Sequence, residues 1–269
     1  MVIPPFIYDI IRWLTILFMS GGVVSGGILG LLSLQRKTSN KWQSILWGLL
    51  LIGFSLTLLD KLLAYSFIAQ RHLRVAFLPI YISFALGPLV FFYVKSRLYP
   101  INFRMKRADF KHFILPTVQF ALLSWVGIQN ATAKSEFQSH FFSPFSGNFE
   151  KGVFILQFFL YLYFAYRFIL HEKHPLERSL RHQASHDSIK ASKNRFSMTN
   201  TDFRRQVLVV GWLKRMIKVL FILTDYFSFR LFDINLQTKA LFSAFYELSF
   251  VAMLFWLCLN AYFAWKRGL

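Results

Sequence analysis

Apolar and polar positions in this chain alternate in long blocks rather than in a short period. Apolar runs long enough to cross a bilayer recur between polar breaks at Trp13–Leu34, Ile45–Ala69, Val75–Tyr93, Phe110–Ile128, Val153–Leu170, Trp212–Phe229 and Leu241–Trp265. A helix needs roughly 20 mainly apolar residues to span a hydrocarbon core of about 30 Å, and each run is near that length. The sixth run differs from the rest because Lys214, Arg215 and Lys218 occupy its first turns. An amphipathic interfacial stretch beginning at Phe203 would lead into it. The pattern predicts an all-α polytopic membrane protein, a bundle of seven transmembrane helices forming one domain over residues 1–269. The longest connector, His171–Gln206, has no periodicity that would build a core and reads as a basic loop or short helices.

Composition narrows the class further. Hydrophobic residues make up 55% of the 269 and charged residues only 16%. A soluble domain carries about a quarter charged residues, and disorder needs far less apolar content, so both are excluded. The single cysteine, Cys258, leaves no disulfide framework, no thiolate metal site within one chain and no lipid-modified cysteine near the start. The first residues, with two prolines and Arg12 as the first cation, make a poor secretory leader, so the first run is expected to remain as a span.

Charge supplies an orientation. Lys and Arg number 31 against 12 Asp and Glu, a net +19 that in a soluble protein would suggest nucleic acid. Eighteen of these cations fall in the first, third and fifth loops and the C-terminal tail, and seven in the N-terminal segment and the other loops; six more lie within the runs. Cations favour the cytoplasmic side. The N-terminus is therefore expected outside and the C-terminus inside a bacterial inner membrane, with the basic face meeting anionic lipid. No nucleic-acid partner is needed to explain the charge.

Several polar and small residues stand out against this background. Gly22, Gly26 and Gly30 lie four apart in the first span, flanked by Gly21, Ser25 and Gly27. That spacing lets another helix approach closely, whether a helix of this chain or of a partner. Gly87 and Pro88 interrupt the third span and predict a kink. Asp60, Asp225 and Glu247 fall at similar depth near the outer ends of three spans, with Lys61 beside the first. They either line an outward-facing polar cavity, deepened by Gln119 and Gln157, or form buried ion pairs and interfacial caps.

Catalytic templates are missing. His171 and His174, and His182 and His186, have helix-face spacing, but these four with His112 fall short of the histidine set of a membrane di-iron oxidase. They read as part of a solvated basic loop, and no metal or cofactor is expected. There is no G-x-S-x-G, no phosphate-binding glycine loop followed by Lys, and His171-Glu172-Lys173-His174 is one residue short of HExxH. The seventh span has no lysine for a retinal Schiff base. Nothing here points to an enzyme.

One resemblance emerges from the stretch beginning at Gly27. A span runs into the basic segment Gln35-Arg36-Lys37-Thr38-Ser39-Asn40-Lys41 and a second span follows. Then come Leu86-Gly87-Pro88-Leu89-Val90-Phe91-Phe92-Tyr93-Val94-Lys95-Ser96 and Phe110-Lys111-His112-Phe113-Ile114-Leu115-Pro116. With Gly211-Trp212-Leu213 before a final pair of spans, the chain resembles the membrane half of AraC-type transcriptional regulators with a multi-span sensor. The resemblance implies a sensor or scaffold bundle. Those regulators continue into a helix-turn-helix domain, whereas this sequence stops at Lys266-Arg267-Gly268-Leu269, so DNA binding is not expected to carry over. The expected role is a non-enzymatic accessory, sensor or assembly subunit acting through a membrane-protein partner. The alternative is a small transporter or ligand receptor using the outer polar cavity.

Overall fold

The computed structural model describes residues 5–36, 41–66, 80, 82–99, 103–137, 139–140, 147–186, 200–231 and 239–266. Within the helices, the side chains of residues 172–186, 200–207, 225–231 and 239–243, and of a few isolated positions, stand outside that description. Among the described residues every regular element is helical: α1 (Pro5–Gln35), α2 (Lys41–Tyr65), α3 (Ser83–Leu98), a 3-10 turn (Arg107–Phe113), α4 (Ile114–Gly127), α5 (Ala131–Glu136), α6 (Gly147–His186), α7 (Asn200–Leu231) and α8 (Lys239–Lys266).

Three helical stretches are long and apolar enough to cross a membrane, Asp9–Gln35, Lys41–Tyr65 and Phe149–His171, and Glu247–Asn260 is a shorter apolar one. The remaining expected spans take different shapes. The third run was placed from Val75, but residues 75–79 lie outside the described residues and the helix begins at Ser83. Its 16 residues cover about 24 Å. The fourth run divides near Pro116, which falls in the first turn of α4, where a proline is tolerated because an N–H there has no intrahelical acceptor. The chain before Ile114 tightens into the 3-10 turn, and α4 keeps 14 residues. Conversely α6 continues from the fifth run as a 40-residue helix to His186, and α7 begins at Asn200. Much of the predicted loop at 171–206 is therefore helical; residues 187–199 lie outside the described residues.

Side-chain contacts fix the helix directions. α1 packs antiparallel on α2, with Gly22 against Leu58 and Gly30 against Ile52. α2 packs antiparallel on α3, through Gly53 against Leu86 and Trp47 against Tyr93. α3 and α6 run parallel, Phe84 meeting Phe154 and Tyr99 meeting Phe168. Trp212 of α7 lies beside Trp47, while Phe250 of α8 lies beside Phe54. α3 is the most enclosed helix, and the core gathers Leu50, Phe54, Leu86, Phe92, Leu162 and Leu213 around it.

These directions bring Asp60, Glu150 and Glu247 to one end of the bundle. Lys41, Lys95, Arg97, Arg104, Lys106, Arg107 and Lys111 lie at the other. Between the ends the outer faces are apolar: Trp13 is 70% exposed, Leu17 66%, Trp125 58% and Leu156 62%. Apolar side chains this open, in rows along α1, α4 and α6, form a far larger surface than a monomer in water presents.

Candidate functional site

The acid end is organised around one backbone residue of α3. Pro88 lies inside that helix and has no N–H, so the carbonyl of Phe84 four residues earlier loses its helical donor. Gln157 of α6 supplies one, its Nε2 donating to the Phe84 oxygen at 3.1 Å. The Phe84 N–H lies in the first turn, where no intrahelical acceptor exists, and donates to Gln119 Oε1 of α4 at 3.3 Å. Gln119 Nε2 in turn donates to Ser83 Oγ at 3.0 Å and to Glu150 Oε1 at 2.6 Å. Two glutamines from two helices thus hold both backbone polar groups of one residue, Phe84.

Gly87 completes this junction. A Cβ there would lie 2.8 Å from Tyr161 Cδ2, so glycine lets α6 lie directly on this turn of α3. The Tyr161 hydroxyl is hydrogen-bonded to His112 Nδ1 at 2.7 Å, and the His112 ring packs edge-on against Phe92. The proline, its two glutamines, the glycine and the tyrosine–histidine pair together hold α3, α4 and α6.

On the other side of the same end, Lys61 Nζ stands 3.8 Å from Glu247 Oε2 and 5.6 Å from the centre of the Phe250 ring. The Glu247 side chain is 4% exposed and that of Lys61 17%. Taking both charges out of water is costly, and their attraction offsets this only while both are present. Asp60 lies within electrostatic reach of Lys61, Glu150 and Glu247. Asp60, Glu150 and Glu247 therefore gather around Lys61 at an end that also carries Asp9, Arg12, Lys134, Glu136 and Lys151. Such a set can hold α2 to α8 and can also attract a cation or a proton. Among the described residues no three His, Cys, Asp or Glu side chains are grouped closely enough to hold a metal ion.

The sequence candidates fall into place unequally. Asp60, Lys61, Glu247, Gln119 and Gln157 reach the same end, but the glutamines serve the backbone of α3. Asp225 lies on α7 with its side chain outside the described residues. His171 is exposed on α6, and the side chains of His174, His182 and His186 are likewise outside the described residues. Gly22, Gly26 and Gly30 face the chain itself. A Cβ at Gly22 would meet Leu58 at 2.7 Å, one at Gly26 would meet Ser55 and Leu254 at 3.2 Å, and one at Gly30 would meet Ile52 at 2.6 Å. Gly48 reciprocates, 2.8 Å from the Gly30 oxygen, and Ser55 Oγ donates to the Val23 carbonyl at 2.6 Å.

Glu150, Ser83, Tyr161 and His112 are the participants that reading the runs missed. Glu150 falls just before the fifth run as drawn from hydropathy. Its signal was spacing: Glu150, Phe154, Gln157 and Tyr161 recur at three and four residues, one face of a helix that includes the polar start.

No family model matches the chain, and no significant match exists among curated proteins or solved structures.

Proposed function

We propose that the chain is a multi-pass protein of a bacterial inner membrane, crossing seven times through α1, α2, α3, α4, α6, α7 and α8. The N-terminus lies outside and the acid end faces outward, with the basic end in the cytoplasm. Support comes from the three long apolar helices, the exposed apolar belts and the separation of acids from cations, which fits the cationic bias of cytoplasmic segments. In this bundle it works as a non-enzymatic accessory, sensor or assembly subunit that acts through a membrane-protein partner.

The observation carrying that role is the commitment of the polar residues at the outer end. Gln119 uses its carbonyl and its amide group inside the chain, Gln157 replaces a missing backbone donor, and Lys61 faces Glu247. Groups that hold helices together leave action to the surface. The likeness of the Gly87-Pro88 and His112-Phe113 segments to the membrane half of AraC-type regulators agrees with a sensor or scaffold role. Extraction in mild detergent after brief crosslinking, followed by native mass measurement, should recover the chain with one partner at fixed stoichiometry. A monodisperse, partner-free monomer under those conditions would sink the proposal.

The nearness of Asp60 to both Glu150 and Glu247 favours one second reading, a small transporter or receptor for a cationic ligand. It predicts that Asp60→Asn or Glu247→Gln abolishes ligand binding or flux while the bundle still folds. Unchanged transport by both variants would remove it.

A further inference from the structure

Two exposed cations, Arg215 and Lys218, lie midway along α7. Ring contacts fix their depth. Trp212 lies beside Tyr93, and the adjacent Phe91 beside Phe168, which sets Trp212 near the level of Phe168 on α6. Nine positions further along α7, Phe221 meets Phe159, nine positions earlier on α6. The two helices are therefore antiparallel and in step, with Lys218 at the level of Leu162 and Arg215 at that of Ala165. Both levels fall inside Phe149–His171, a stretch long and apolar enough to cross a bilayer. At 1.5 Å per residue, Lys218 lies about 13 Å and Arg215 about 9 Å from the His171 end of that stretch. A lysine stem reaches about 6 Å, too little to carry the Lys218 ammonium out to that end.

The two cations belong to one face. Positions 208, 211, 215, 218 and 222 recur at three and four residues, opposite the buried Leu213 and Ile217. Leu208 is 64% and Ile222 71% exposed on that face, and a Cβ at Gly211 would meet nothing within 4 Å. No acid of the neighbouring helices answers the charges. α3, α6 and α8 pack against α7. There is no Asp or Glu in α3, in α6 from Lys151 to His171 or in α7 from Leu208 to Thr224. Asp60 of α2 and Glu247 of α8 lie at the acid end around Lys61. The Arg215 Nε donates to the Gly211 carbonyl of its own helix at 3.4 Å, a neutral acceptor. Charges at membrane depth are rare and pair with an opposite charge or face water, so this face calls for carboxylates from outside the chain.

We propose that this face of α7 receives a transmembrane helix of the partner protein that carries Asp or Glu opposite Arg215 and Lys218. The carboxylates supply the missing counter-charge, the apolar ends of the stripe pack on the same helix, and Gly211 lets it come close. An anionic lipid keeps its phosphate at the headgroup level, about 13 Å from Lys218, and leaves that cation unmatched. The proposal rests on the membrane-partner reading above and goes beyond it by naming the docking face and the chemistry of the partner.

The test places a photoreactive residue on the stripe of the full chain, as Ile222→p-benzoylphenylalanine, in membranes of the cell that naturally makes it. Irradiation followed by mass-spectrometric mapping should join position 222 to one protein, within an apolar stretch of about 20 residues that contains Asp or Glu. Arg215→Leu with Lys218→Leu should lower that crosslink roughly tenfold, the scale of a polar contact between membrane helices. The same double variant should melt in mixed micelles no lower than wild type, because it only removes charges from an apolar surface. Arg215→Glu with Lys218→Glu should also abolish the crosslink, and exchanging the mapped partner acids for lysine should restore it. If the glutamate variant does not fold, the leucine variant carries the test. Crosslinks to phospholipid alone, to a second copy of this chain or to a helix without acids overturn the proposal, as does a wild-type yield from the leucine variant. A partner recovered at fixed stoichiometry that never crosslinks at position 222 overturns this face and leaves the accessory role standing. A partner-free monomer overturns both.

Discussion

A proline inside a helix leaves the carbonyl four residues earlier without its helical donor, and a buried carbonyl rarely stays unpaired. Here the debt falls on Phe84, and Gln157 answers it from a neighbouring helix. The compensation is specific enough to test by pairing substitutions. Gln157→Leu removes the donor and should cost about 1 kcal/mol, the usual scale of interhelical hydrogen bonds in membranes. Pro88→Ala restores an N–H that can bond the Phe84 oxygen within α3. In that background the loss of Gln157 should cost close to nothing. Reversible unfolding in mixed micelles of the four variants measures the coupling. If Gln157→Leu is equally costly with proline or alanine at position 88, the two residues are independent and this account fails.

At the scale of helices, close approach is governed by glycines whose neighbours differ sharply. Around Gly30 there is no room, with Ile52 Cγ1 2.6 Å and the Gly48 oxygen 3.1 Å from a built Cβ. Gly30→Ala should therefore push α1 from α2 and destabilise by about 1–3 kcal/mol, as overpacking does. Gly152 and Gly211 meet nothing within 4 Å. At those helical positions alanine should be neutral or stabilise by up to about 1 kcal/mol, since glycine is the poorer helix former. Thermal unfolding of the three variants in one detergent decides this; a Gly30→Ala protein as stable as the Gly152→Ala one would show that α1 is not docked as described.

The same helices show what a sequence can and cannot disclose. Long apolar runs and glycine spacing are local signals, so α1 and α2 were legible, as was a proline inside the third run. Gln157 was visible as a polar residue in an apolar run, but its partner is a backbone oxygen 73 positions away, and pairings at that distance leave no local trace. Hydropathy placed the start of the fifth span at Val153, although α6 begins at Gly147, because Glu150 and Lys151 count as polar there. Glu150 consequently stayed out of view until its bond to Gln119 showed a carboxylate facing inward.

Helix pairs across the bundle add a charge effect. Lys61 and Glu247 join α2 to α8, and removing one member of such a partly buried pair leaves the other charge without its counter-ion. Lys61→Met or Glu247→Leu alone should cost roughly 3–5 kcal/mol, and the double variant should cost less than the two losses added together, although Asp60 still loses Lys61 in it. Additive losses in a double-mutant cycle would show that the two charges do not act on each other across this interface.

For the whole molecule, the decisive quantity is which end faces which compartment. Asp60, Glu150 and Glu247, together with Asp9 and Glu136, lie towards one end, where Arg12, Lys61, Lys134 and Lys151 accompany them. The opposite end collects the cations of the chain following α3 and of the 3-10 turn. Moving cations across a bilayer during insertion is unfavourable, so this asymmetry argues for the proposed orientation. Two exposed positions report on it. Ser139 lies beyond α4 on the acid side and Arg104 between α3 and the 3-10 turn on the basic side. The natural Cys258 is buried, which makes it a slow competitor for labelling. In intact cells a membrane-impermeant maleimide should modify Ser139→Cys and leave Arg104→Cys untouched until the membrane is opened. The reverse pattern would invert the orientation, and labelling of both sites in sealed cells would mean that α4 does not separate two compartments. That last outcome would also bear on packing, since Gln119 of α4 could then no longer share a buried outer junction with Phe84 and Glu150.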